Sequence, residues 1–192
     1  VRRNLLPGFG IGSSMQKILV PLVLCLAMVV GASAHAQGIR SPDMVIGSVA
    51  TGDLHMLVDE MGATLTLTGV NDRQAPYVFA ISQDGMSFGI YTACGNPDGT
   101  DCRGIEFLAV FDSERSIGDI SAIDQSYAAV SVYKSDDKTV HVSRYVILDH
   151  GVTWANLIEN AEVFATLCGK VSAEINGQVT AQFAPPPLDG VR

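Results

Sequence analysis

The residues able to do chemistry are few and far apart. Beyond residue 36 the cysteines are Cys94, Cys102 and Cys168, and the histidines are His55, His141 and His150. No two of these histidines show the H-x-x-x-H spacing that turns two imidazoles toward one metal ion. Asp149-His150-Gly151 holds the one Asp–His neighbour pair. Neighbours on a strand point to opposite faces, so this pair does not set a carboxylate behind an imidazole as a base and its orienter. The serines are expected to carry no nucleophile, neither at a G-x-S-x-G elbow nor at an S-x-x-K pair. Gly8-Phe9-Gly10-Ile11-Gly12 is glycine-rich, but it precedes the apolar run and is not read as a phosphate loop.

The densest cluster is the loop between Cys94 and Cys102, Gly95-Asn96-Pro97-Asp98-Gly99-Thr100-Asp101. Asp98 and Asp101 could approach a cation. An EF-hand, however, needs D-x-D-x-D-G and a distal Glu, and a solvated turn accounts for the loop. Asp136-Asp137 is likewise read as a hairpin tip. Cys94 and Cys102 are near neighbours and are paired as a disulfide. Closing so short a loop contributes roughly 2–3 kcal/mol in the chain-entropy model. A zinc site would need further ligands, and none are evident. Cys168 falls on the apolar stripe of a helix as a small buried hydrophobe, and Trp154 is read as core. The expectation is a protein that is not an enzyme and uses no metal or cofactor.

Composition then sets the compartment. The chain has 192 residues, 47% apolar and 17% charged, with formal net charge −8. That is a globular composition with room for one ordinary domain. Lys17 precedes an unbroken apolar run from Ile18 to Val30, followed by Gly31-Ala32-Ser33-Ala34-His35-Ala36-Gln37. A charged start, a short apolar run and small residues at Ala34 and Ala36 make a signal peptide, with cleavage between Ala36 and Gln37. The run is shorter than the roughly 20 residues a membrane-spanning helix needs, although an uncleaved anchor is the alternative. Leu24-Cys25 lacks the small residue that a lipoprotein site wants. Met15 is a candidate start. Removing residues 1–36 takes away Arg2, Arg3 and Lys17 and no acid, leaving 9 basic against 20 acidic residues, or −11. Such a chain is not suited to nucleic acid or to an anionic membrane surface.

The remaining chain divides into a short leader at 37–47, a domain at 48–175 and a Pro-rich disordered tail at 176–192. Leu54, Leu57, Val58 and Met61 keep helical spacing, with Thr51 or Asp53 as cap and Gly62 as stop. Residues 63–69 alternate, predicting a half-buried strand with Leu65 and Leu67 on one face. Tyr77–Ser82 and Met86–Cys94 are strands joined through Asp84-Gly85, a dipeptide suited to positive φ. The strand Gly104–Phe111 follows. Ile117, Ile120, Ile123 and Tyr127 predict a short helix capped by Ser116. Ala129–Tyr133 and Thr139–Asp149 are strands, and the second, apolar on both faces, is expected inside the sheet. Thr153 opens the strongest helix, with stripe Trp154, Leu157, Ile158, Ala161, Phe164, Ala165, Cys168 and Val171. The order predicts an α+β domain of two layers, an antiparallel sheet of about six strands with three helices packed on it.

From Met44 to Val171 the chain resembles the YbjN-domain family of proposed bacterial sensory transduction regulators. The resemblance rests on the opening helix ending in Met61-Gly62, the strand from Gly85 to Cys94, Cys102 with Ile105–Phe111, and Asp149-x-Gly151-Val152 before the last helix. It departs at Ile123-Asp124-Gln125-Ser126-Tyr127, where the family carries an Asn and a Trp-Asn pair, so no binding residue is carried over from that corner. The resemblance implies a fold like type III secretion chaperones and a regulatory or protein-binding role. The expected protein is an exported, non-enzymatic module of the bacterial envelope with a protein or peptide partner, a homodimer being one expected form. The alternative is a periplasmic small-ligand or metal-binding protein, or an unrecognised hydrolase, resting on the acidic loop and on Asp149-His150.

Overall fold

The computed structural model describes residues 40–135 and 138–177. The signal segment with its Ala36/Gln37 junction, the Asp136-Asp137 tip and residues 178–192 lie outside them. The elements are β1 (Val45–Ile46), α1 (Thr51–Glu60), β2 (Thr64–Val70), β3 (Pro76–Ile81), β4 (Ser87–Cys94), β5 (Cys102–Asp112), α2 (Ile117–Ser126), β6 (Ser131–Lys134), β7 (Thr139–Ile147), β8 (Val152–Thr153) and α3 (Trp154–Ile175). Six strands form one antiparallel sheet in the order β2-β3-β4-β5-β7-β6. The three helices line one side of it, giving the α+β, two-layer architecture that the element order implied.

Period two explains the core. Val78, Ala80, Phe88, Ile90, Ile105, Phe107, Ala109, Val140, Val142 and Val146 alternate along their strands and are buried on the helix side. Period three to four explains what covers them. Along α3, Trp154, Leu157, Ala161, Phe164, Cys168 and Val171 are buried, and the Phe164 ring meets those of Phe88 and Phe107. The end groups of α3 and α2 are held as predicted. Thr153 Oγ1 accepts the Asn156 N–H at 3.2 Å, and Ser116 Oγ accepts the Asp119 N–H at 3.1 Å. Asp124 ties α2 to the sheet by accepting the Val132 N–H at 2.7 Å. The β3–β4 hairpin turns at Gly85, whose φ is +87°.

Four details differ from the sequence reading. The α1 cap is Ala50, not Thr51 or Asp53. Asp53 sits in the first turn, accepts the Ala50 N–H at 2.8 Å, and pairs with Arg40, whose guanidinium lies over the Trp154 ring. In β2 a bulge between Leu65 and Leu67 breaks the alternation. Leu65 pairs with Ala80 and Leu67 with Phe79, so the two leucines face opposite ways. That strand is an exposed edge, not half-buried, because α1 covers only part of its inner face. The leader is not featureless either. Val45–Ile46 pairs with Val152–Thr153, and the Val49 N–H bonds the Cys102 carbonyl at 3.0 Å. Finally, β7 is interior, between β5 and β6, but its second apolar face is not buried.

Candidate functional site

The cysteine loop is built as a turn. Cys94 and Cys102 are disulfide-bonded and lie against the end of the core rather than in solvent. The loop closes on itself through Gly95 N–H to Asp101 carbonyl at 3.0 Å and Gly99 N–H to Asn96 carbonyl at 3.1 Å. Its carboxylates are already engaged. Asp98 accepts the Thr100 hydroxyl at 2.6 Å and the Thr100 N–H at 3.1 Å, which hold its carboxyl below the usual value. Arg103 bridges Asp101 at 2.8 Å and Asp149 at 3.4 Å. Asp149 therefore faces a guanidinium, while His150 is exposed in the turn with φ +66°. The other two histidines are elsewhere. His55 Nε2 meets Thr68 Oγ1 at 2.9 Å beside β2, and His141 stacks on Tyr133 across β6 and β7. Among the described residues, no three His, Cys, Asp or Glu side chains gather into a cluster able to hold a metal ion. Cys168 is buried, and burial pushes its thiol well above the ordinary range.

Serine signatures do occur in the sequence, contrary to the reading above, but without the structural context they need. Gly85-Met86-Ser87-Phe88-Gly89 spells G-x-S-x-G, yet Ser87 opens β4 of a hairpin and no helix follows. Ser131 and Lys134 in β6, and Ser135 and Lys138 at the β6–β7 turn, have S-x-x-K spacing, but Lys134 Nζ donates to the Ser113 carbonyl at 2.8 Å and Lys138 Nζ pairs with Glu114 at 3.2 Å. Ser14 and Lys17 share that spacing outside the described residues.

What the structure brings together is the other face of the sheet. The cross-strand register places its residues in rows. One runs Gly69, Tyr77, Tyr91, Glu106, Tyr145; the next runs Leu67, Phe79, Gly89, Leu108, Ser143. The rings of Tyr77, Phe79 and Tyr91 form a triangle with centroids 5.5, 5.8 and 5.9 Å apart. Glycines lie beneath these rings. A Cβ on Gly89 would stand 2.7 Å from Tyr91 and 3.0 Å from Phe79, and one on Gly69 would stand 2.7 Å from Tyr77. The rings come close to the backbone at these glycines, Tyr77 and Tyr91 stacked at 27° and Phe79 edge-on to both at 63° and 84°. Beside them runs a groove of about 430 Å³ lined by Leu67, Phe79, Ile81, Tyr91, Leu108 and Val110. No described helix covers this face. Leu67 and Val110 are each 47% exposed, Tyr145 54% and Ile147 63%. Burial pushes the Tyr91 phenol up, and Tyr77 and Glu106 add to the shift.

No protein-family model matches the sequence, and no curated protein does so. Solved structures do match. YbjN from E. coli, a candidate transcription regulator, is similar at 19% identity with a TM-score of 0.51, over 70% of this chain and 96% of that one. The chain has a YbjN-like fold. Weaker likenesses are to an uncharacterized protein from Methanothermobacter thermautotrophicus (12% identity, TM-score 0.46, 66% of this chain and 96% of that one) and to the HopA1-SchA chaperone-effector complex (9%, 0.41, 65% and 99%). At such identities the likeness is one of fold.

Within this YbjN-like sheet, sequence reasoning missed the open face altogether. The signal was present. Tyr77–Ile81 and Ile105–Phe111 are apolar at nearly every position, and such runs are expected in strands covered on both sides. Here the described helices cover one side, and among the described residues the second set of apolar residues is exposed or half-buried. The Cys94–Cys102 bond is compatible with an oxidising compartment, and no described helix is long and apolar enough to cross a membrane.

Proposed function

We propose that this protein is an exported, non-enzymatic binding module, and that the uncovered face of its sheet holds an apolar segment of a partner protein. The observation that carries this is the ring triangle with its glycine floor and adjoining groove. A contiguous apolar face of this kind marks an interaction site, and rigid aromatic rings are the side chains that most often anchor one. Gly69 and Gly89 leave the space that these rings occupy against the sheet. Supporting the absence of catalysis, every acid of the cysteine loop and its neighbour Asp149 is spent on turn bonds or on Arg103. Export is supported by the signal-like N-terminus and the disulfide. A regulatory role is consistent with the YbjN-like fold.

The test is a peptide array probed with the folded domain and with Leu108→Lys. Leu108 is half-buried in the middle of the open face. The wild-type domain is expected to select peptides with apolar residues at alternate positions, and Leu108→Lys to lose them while melting at a similar temperature. Equal selection by both proteins would reject the open face as the site.

A further inference from the structure

Of the residues in the two rows of the open face, Glu106 alone carries a charge. It stands on β5 in the middle of the sheet, opposite Tyr91 on one side and Tyr145 on the other. Leu108, which lines the groove, is two residues along the same strand on the same face. Glu106 is half-buried, and among the described residues its carboxylate has neither a hydrogen bond nor an ion pair. The cations of the flanking strands are engaged elsewhere. Arg103 is bridged to Asp101 and Asp149, and Arg144 Nε donates to Asn160 Oδ1 at 2.9 Å on the helix side.

A carboxylate set among rings without a partner is unfavourable, and a cation brought to it offsets that cost. The neighbouring rings leave room for one. Tyr91 reaches over Gly89, in the Leu108 row, and Tyr145 over Gly104, on the other side of Glu106. The charge of Glu106 is felt nearby, since it adds to burial and to Tyr77 in raising the Tyr91 phenol. Arginine suits these surroundings better than lysine. Its planar fork meets a carboxylate through two N–H groups while its face stacks on a phenol ring. Net charge points the same way, because a chain at −8 attracts a basic segment and repels a second copy of itself. Spacing sets the register. Alternate residues of an extended peptide repeat about every 7 Å, as Glu106 and Leu108 do on β5.

We infer that the segment held on the open face carries an arginine two residues from an apolar anchor, with the anchor in the groove and the guanidinium paired to Glu106. This rests on the open face being the binding site. The probes are short synthetic peptides alternating leucine and serine, with arginine, citrulline or aspartate at one leucine position. Citrulline keeps the shape of arginine and removes its charge. The wild-type protein is expected to bind the arginine peptide about tenfold more tightly than the citrulline one, and the aspartate peptide least. Glu106→Gln is expected to bring the arginine peptide down to the citrulline level and to leave the citrulline peptide unchanged. Glu106→Lys is expected to prefer aspartate to arginine. Circular dichroism and melting temperature are expected to stay near wild type in both variants. Leu108→Ser tests the groove without adding a charge beside Glu106, and is expected to weaken all three peptides. Equal binding of the arginine and citrulline peptides by the wild-type protein would overturn the inference, as would an arginine preference that survives Glu106→Gln. With Leu108→Ser still weakening every peptide, either result leaves the open face standing as the site. Failure of all three peptides to bind would also overturn the inference, and the peptide array then decides the open face on its own.

Discussion

At the scale of single residues, the three features that matter are a disulfide, a glycine and a phenol. The bond between Cys94 and Cys102 closes the β4–β5 loop. Replacing either cysteine by serine is expected to lower stability by roughly 2–3 kcal/mol. The double variant is expected to be no worse than either single one in denaturant titrations, because both remove the same bond. Gly89 works by lacking a side chain. Gly89→Val puts atoms where the Tyr91 and Phe79 rings lie. The expected result is a folded protein with altered near-ultraviolet circular dichroism and a lost peptide site. Tyr91 reports on the face through its ionisation. Burial, then Tyr77 and Glu106, raise its phenol above the ordinary value of 10.0. The neutral form is the one the fold favours. The corresponding stability is therefore present below about pH 10 and is lost as pH rises through the raised value. A phenolate absorbance titration is expected to show a component above pH 10 that Tyr91→Phe removes, together with a shallower alkaline loss of stability.

At the scale of elements, α3 is the support of the sheet. Its apolar stripe crosses β5 and β7, and Phe164 contacts the rings of Phe88 and Phe107. Phe164→Ala is expected to cost about 3–5 kcal/mol, read from the denaturation midpoint, through lost burial and a cavity. Most of the elements were legible in the sequence because local chemistry and period agreed. Ser116 and Thr153 cap as their types suggest, Gly85 turns the hairpin, and the stripe of α3 is regular. The misreadings arose where tertiary context decides. A bulge inside Thr64–Val70 leaves no trace in an alternating Thr/Leu pattern, and Val45–Ile46 is too short to announce a strand. The open face was hidden for a different reason. An apolar residue on a strand looks the same whether a helix covers it or a partner does. Charged loops drew attention instead, although the structure shows their carboxylates tied to Thr100 and Arg103.

At the scale of the whole molecule, both faces of one sheet carry apolar residues, and the described helices cover only one of them. The described chain thus pairs an ordinary buried core with an exposed aromatic surface, on a chain of formal net charge −8. That asymmetry is the central claim about function, and the measurement that tests it most directly is a binding titration. The best peptide from the array, carrying a fluorophore, is titrated by anisotropy with the wild-type domain, with Leu108→Lys and with Ile117→Lys. Ile117 is exposed on α2, on the helix side of the sheet, and serves as the control. The expected result is a dissociation constant raised about tenfold or more by Leu108→Lys, a change of about 1.4 kcal/mol, and unchanged by Ile117→Lys. Equal binding by Leu108→Lys and the wild-type domain, or loss of binding in Ile117→Lys alone, would contradict it.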